Sequence, residues 1–94
     1  MKDNNLLDIV IPAIREVTNN PQLEVDADNF LVSDIGLESI DLVDLCSVLE
    51  DITDIELDFE EVARFASAQD GATVNMQQLR VRHMNDFLLS KTSS

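Results

Sequence analysis

A lone serine, Ser39, stands where a glycine-containing turn gives way to an apolar helical repeat, with carboxylates at Glu38, Asp41 and Asp44 around it. Three kinds of chemistry could use such a residue. A serine hydroxyl can be a catalytic nucleophile, but only with a base and a third orienting group in fixed geometry. The chain has one histidine, His83, and no Gly-x-Ser-x-Gly elbow, so a hydrolase is not expected. A serine ahead of an amphipathic run can also be simply the N-cap of a helix. Finally, its hydroxyl can carry a phosphate ester, which the amides and dipole of a helix N-terminus favour. Elsewhere, Asp26-x-Asp28 opens like a calcium loop, but Phe30 and Leu31 stand where the next ligand and the loop glycine belong. Cys46 is the only cysteine, which excludes an internal disulfide and, with a single histidine, a Cys/His zinc cluster. At a core position of a helix it reads as an inert small hydrophobe. His83 lies beside an apolar stripe and reads as a packing histidine.

The elements that must position Ser39 follow from periodicity. Residues 4–18 place Leu6, Ile9, Val10, Ala13, Ile14 and Val17 on one helical face, with Pro12 inside predicting a kink or a frayed first half. Asn19-Asn20-Pro21 stops that helix, and a long connector runs from Gln22 to Glu38. Its scattered apolar residues, Leu23, Val25, Phe30, Leu31, Ile35 and Leu37, can pin it to a bundle. The second helix is expected from Ser39 to about Thr53, burying Leu42, Leu45, Cys46, Leu49 and Ile52. Asp58-x-x-Glu61 caps a short third helix with Phe59, Val62, Ala63 and Phe65. Residues 66–74 are expected as a loop. Asn75-x-x-Gln78 caps a last helix to about Leu89, with Met76, Leu79, Met84, Phe87 and Leu88 inward and 90–94 a flexible tail. The expected fold is all-α: a four-helix bundle of three longer helices and one short one, with a long first loop, in a single domain over residues 1–94 (core about 4–89).

Charge narrows the partners. The net charge is −13, and Glu16 to Val62 holds fifteen carboxylates and no Lys or Arg. Such a field repels nucleic acid and anionic membranes and steers basic protein surfaces inward. No apolar run approaches the roughly 20 residues that cross a bilayer. The polar N-terminus is followed by no cleavage-site pattern, so no signal peptide is expected and the cytoplasm is the expected location.

The run Asp34-Ile35-Gly36-Leu37-Glu38-Ser39-Ile40-Asp41-Leu42-Val43-Asp44-Leu45 resembles the modification site of acyl carrier proteins, and the likeness extends over roughly residues 4–89. The resemblance implies a non-catalytic carrier with 4′-phosphopantetheine attached covalently to Ser39, holding acyl intermediates of fatty acid, lipid or polyketide-type biosynthesis as thioesters. It implies a phosphopantetheinyl transferase as one partner, and acyl-activating, condensing or acyltransferase enzymes with basic patches as others. A monomer is expected. A charged helix face is ordinarily just solvated surface; the resemblance makes Glu38, Ile40, Asp41, Val43, Asp44, Glu50 and Asp51 a docking face, and makes the apolar interior a cleft able to sheathe an acyl chain. Glu38 replaces the family's common Asp, and residues 66–74 look longer than in a fatty-acid carrier. Neither the second glycine nor the histidine of a peptidyl carrier site is present. The alternative function is a non-carrier acidic adaptor or nucleic-acid mimic, for which charge alone would suffice.

Overall fold

The computed structural model describes residues 6–92 and folds them into four helices: α1 (Leu7–Thr18), α2 (Ser39–Thr53), α3 (Phe59–Asp70) and α4 (Val81–Thr92). α1 packs against α2 and α4, and α3 packs against α4. The expected all-α bundle is therefore what forms. Among the described residues the only bridge-type pairing is an isolated antiparallel one between Phe30 and Arg80.

α1 buries Val10, Ala13 and Ile14, as its period predicts, and runs unbroken through Pro12. Pro12 and Asp8 both face outward, so the carbonyl that Pro12 cannot bond is not trapped in the core. Asn19 ends the helix in the left-handed conformation (φ 57°), its N–H bonded to carbonyls of the last turn. α2 buries Leu42, Leu45, Cys46 and Leu49. Ile52, expected on that stripe, is instead 53% exposed. The chain turns away at Asp54 (φ 62°), and α3 does not pack closely along α2, so the Ile52 side of that last turn stays open.

The third helix differs from its expected length. It has 12 residues, the same as α1 and α4, and Ala66 is fully buried within it. Alanines are strong helix formers, and the stop comes only at Gly71, with φ 72°, several residues beyond the expected start of the loop. Asp58 caps it as expected, its carboxylate accepting the Glu60 N–H at 3.0 Å. Phe65 meets Phe87 of α4 edge to face, centroids 5.7 Å apart.

The Asn75 cap opens only one 3₁₀ turn, Met76–Gln78, and α4 starts three residues later. The interruption is tertiary. Leu79 is extended, and its carbonyl accepts the Leu31 N–H at 2.9 Å. The first N–H groups of α4, on Val81 and Arg82, donate to the carbonyls of Asn29 and Ala27. The long loop thus caps the last helix with its own backbone, meeting the orphan donors of an α-helix start. Arg80 reinforces the junction, stacking 4.0 Å over the Phe30 ring and donating to the Asp28 carbonyl at 2.8 Å. Met76, expected inward, is 40% exposed because it belongs to the 3₁₀ turn. α4 continues to Thr92, three residues past its expected end at Leu89, and Ser93–Ser94 and residues 4–5 lie outside the described residues.

Loop and core are continuous. Leu31 is wholly buried and Leu37 nearly so, beside Leu42, Leu45, Leu79 and Leu88. Asn85, a buried polar residue that the apolar period does not flag, accepts the Leu6 N–H at 2.7 Å and ties the start of α1 to α4.

Of the fifteen carboxylates from Glu16 to Val62, only Asp28 has an ion-pair partner among the described residues, Arg82 at 3.7 Å. The rest repel one another more in the compact chain than in the expanded one. Raising ionic strength to physiological values shortens screening to about 8 Å. The melting temperature near neutral pH is therefore expected to rise from dilute buffer to added NaCl, with millimolar Mg²⁺ acting at lower concentration. A flat melting temperature across that series would show that the acidic stretch is already compensated.

Candidate functional site

The segment before α2 is built to deliver one residue to the helix start. Asp34 accepts the Phe30 N–H at 2.8 Å, closing a turn that Gly36 (φ 90°) completes. Open space surrounds the position of a Cβ there, so the glycine answers to its backbone angle rather than to crowding. Leu37 is anchored in the core, its N–H on the Leu31 carbonyl at 3.0 Å. Glu38 is the N-cap residue, and its N–H donates to the Asp41 carboxylate at 3.1 Å.

Ser39 is therefore the first helical residue and not the cap. Its side chain is exposed, and its hydroxyl makes no hydrogen bond among the described residues. The N–H groups of Ser39 and Ile40 have no acceptor there either. The other serines sit differently. Ser67 is bonded to Ala63 and Val74, Ser90 to Phe87, Ser47 is in mid-helix, and Ser33 is in the preceding turn.

On the flank of Ser39, Ile40 is 68% and Val43 59% exposed, the two most exposed large apolar side chains described. Glu38, Asp44 and Asp51 are exposed around them, whereas Asp41 is partly covered by its capping role. Glu50 also acts as a brace, its carboxylate accepting the Leu57 N–H at 2.8 Å and holding the α2–α3 connection. Beyond Val43, a mainly apolar groove of about 430 Å³ opens between α2 and the start of α3, lined by Val43, Cys46, Leu57, Asp58, Phe59 and Met76. Leu57 and Met76 as wall residues escape sequence reasoning, since neither the 3₁₀ turn nor its position over α2 leaves a periodic signal. Burial, and then the negative field of Glu50 and Asp58, pushes the Cys46 thiol up to about 12, so it stays protonated and unreactive.

A family model described as a phosphopantetheine attachment site matches residues 8–73, well over half of the chain. The chain belongs to this family. No solved structure matches it significantly. Carrier domains of the family bear a covalent 4′-phosphopantetheine, are loaded by a phosphopantetheinyl transferase and interact with further enzymes. When bound, the group supplies a terminal thiol that forms thioesters. The start of α2 meets the needs of its phosphodiester: an exposed, unbonded hydroxyl beside two unpaired amides at the positive end of a 15-residue helix. Among the described residues of this carrier domain no cluster of three or more His, Cys, Asp or Glu could hold a metal. No helix described is long and apolar enough to cross a membrane.

Proposed function

We propose that the chain is a single, monomeric acyl carrier domain that bears its 4′-phosphopantetheine on Ser39, presenting acyl intermediates of fatty acid, lipid or polyketide-type biosynthesis to partner enzymes. The observation that carries this is the unbonded Ser39 hydroxyl at the unpaired N-terminus of α2, within the matched span. The apolar groove that opens one turn away, at Val43, favours a hydrocarbon cargo over a polar aminoacyl one. A lone cysteine held as a thiol suits a reducing compartment such as the cytoplasm. The chain's own part is to orient and to present; the bond-making groups belong to its partners. The test is to incubate the purified chain with coenzyme A and a broad-range phosphopantetheinyl transferase, then map the added mass by peptide fragmentation. Addition on the peptide containing Ser39 supports the assignment, and addition at Ser33 or Ser47 overturns it.

Partners are read by Ile40 and Val43 within the ring of Glu38, Asp41, Asp44, Glu50 and Asp51. Charged groups set the encounter rate, and each exposed pair contributes only about 0.2–1 kcal/mol, which suits a partner that must leave. Asp44 is exposed and makes no bond, so Asp44→Lys should slow loading without loss of stability. Asp41→Lys should slow it too, but also lower stability by about 1 kcal/mol, because that carboxylate accepts the Glu38 N–H. Initial rates of loading across a salt series separate the two effects. Unchanged low-salt rates in the double variant would place recognition elsewhere.

A further inference from the structure

Three helical starts in this chain use the same device, a side chain three residues in that reaches back to the N–H of the cap residue. Asp41 accepts from Glu38 at 3.1 Å and Gln78 from Asn75 at 3.2 Å. In α4 the acceptor is a histidine: His83 Nδ1 takes the Arg80 N–H at 2.9 Å. The ring is completely buried. Its other nitrogen, Nε2, lies 3.0 Å from the Asp70 carboxylate at the end of α3. A backbone N–H can only donate, so Nδ1 must be bare and the ring proton must sit on Nε2, pointing at Asp70. That bond is the chief reason the Asp70 carboxyl is held below the usual carboxylate range.

We infer that His83 is a proton-operated latch: a proton taken up on Nδ1 breaks the bond that starts α4 and loosens the grip of α4 on residues 27–31. Histidine is the only side chain that ordinarily changes charge between about pH 5 and 8, and the acceptors at the other two starts do not. With Nδ1 protonated, two N–H groups face each other in a buried site, and a donor is left without an acceptor. The charged groups nearest in the bonding network are Asp70 on α3, Arg82 and Asp86 on α4, Asp28 on the loop, and Arg80, whose guanidinium is turned onto Phe30 and the Asp28 carbonyl. Asp70 would favour the added charge, but it is partly exposed and already shared with Arg82 at 3.5 Å. Arg82 opposes that charge, Asp86 is bonded to Gln69, and Asp28 is paired with Arg82 at 3.7 Å. α1 meets this part of α4 through the neutral Asn85–Leu6 bond.

What the latch holds is the frame of the serine segment. Val81 and Arg82 donate to the loop carbonyls of Asn29 and Ala27, the Leu79 carbonyl holds the Leu31 N–H, and the Leu31 carbonyl holds the Leu37 N–H, two residues before Ser39. The matched family span ends at residue 73, ahead of Arg80 and His83, and the inference does not depend on the carrier reading.

The test compares the full chain with His83→Gln at about pH 8 and about pH 5.5, a window that spans the histidine range and leaves carboxylates mostly charged. Glutamine can make the same reach-back bond, as Gln78 does, without titrating. On acidification the parent's melting temperature should fall by about 4–8 °C more than that of the variant, the shift expected for losing one capping bond in a domain of this size. In the parent alone, amide protection at Leu31, Arg80 and Val81 should drop roughly 5–30-fold while that of Leu45 in α2 holds. The ring ¹⁵N signals should move from the Nε2–H tautomer to the doubly protonated form over the same range. Equal shifts in parent and variant would overturn the latch, as would a parent that gains stability in acid because the Asp70 attraction wins. If the variant does not fold, constant protection at Leu31 and Arg80 in the parent overturns it equally.

Discussion

Replacing Ser39 by alanine is expected to leave a folded chain that no phosphopantetheinyl transferase can load. A capping serine would lose about 0.5–2 kcal/mol on such a change. Here the cap is Glu38, and the Ser39 hydroxyl is exposed and bonds nothing described. The cost should stay within the ~0.5 kcal/mol typical of surface substitutions, and alanine suits a first-turn position. Loading, by contrast, should vanish, because Ser67 and Ser90 are hydrogen-bonded and neither Ser33 nor Ser47 stands at a helix N-terminus. Intact mass after the transferase reaction and a thermal melt by circular dichroism read the two halves separately. A variant that still gains the full mass would remove Ser39 from its proposed role. One that fails to gain it because it has unfolded would return the serine to capping.

The largest loss of stability is expected from a residue outside every helix. Leu31 is fully buried within the loop, against the same cluster that holds Leu42, Leu45, Leu79 and Leu88. Leu31→Ala leaves a cavity and should cost about 2–5 kcal/mol. Domains of this size have only ~5–15 kcal/mol in total, so a large fraction would go. Ile40→Ala, on a side chain 68% exposed, should change stability by no more than ~0.5 kcal/mol. Chemical denaturation of the two variants side by side is the measurement. Equal, small losses would mean that the loop does not belong to the core.

The contrast also marks where the sequence is readable. The start of α2 can be placed to the residue, since Gly36, the carboxylates and the apolar period from Leu42 all agree locally. Four helices are legible for the same reason. The length of α3 departs from expectation although its signal is present: Ala66, Ala68 and then Gly71 describe a helix with a glycine stop, not an early loop. The true start of α4 is not readable, because Leu79 to Arg82 take their conformation from loop residues about 50 positions away. At the site, Ile40, Val43, Asp44 and Asp51 stand out by their types and lie exposed together on α2. The bracing bond of Glu50 and the part of Met76 in the groove depend on how separate segments meet, and no local pattern announces that.

The bonds that join Leu31 to Leu79 and Leu6 to Asn85 have a consequence for how the chain is made. A ribosome delivers α1, the loop and the serine segment before α4. Until α4 emerges, Leu31 lacks the carbonyl that fixes it, and Val10 and Ile14 lack one of the two helices that cover α1. The nascent chain must therefore wait, its apolar face uncovered, for α4 before the fold can close. A product that stops short of α4 presents a serine segment without its frame. A transferase that requires the framed segment would pass over chains that lack α4, so loading itself would select those in which the frame has closed.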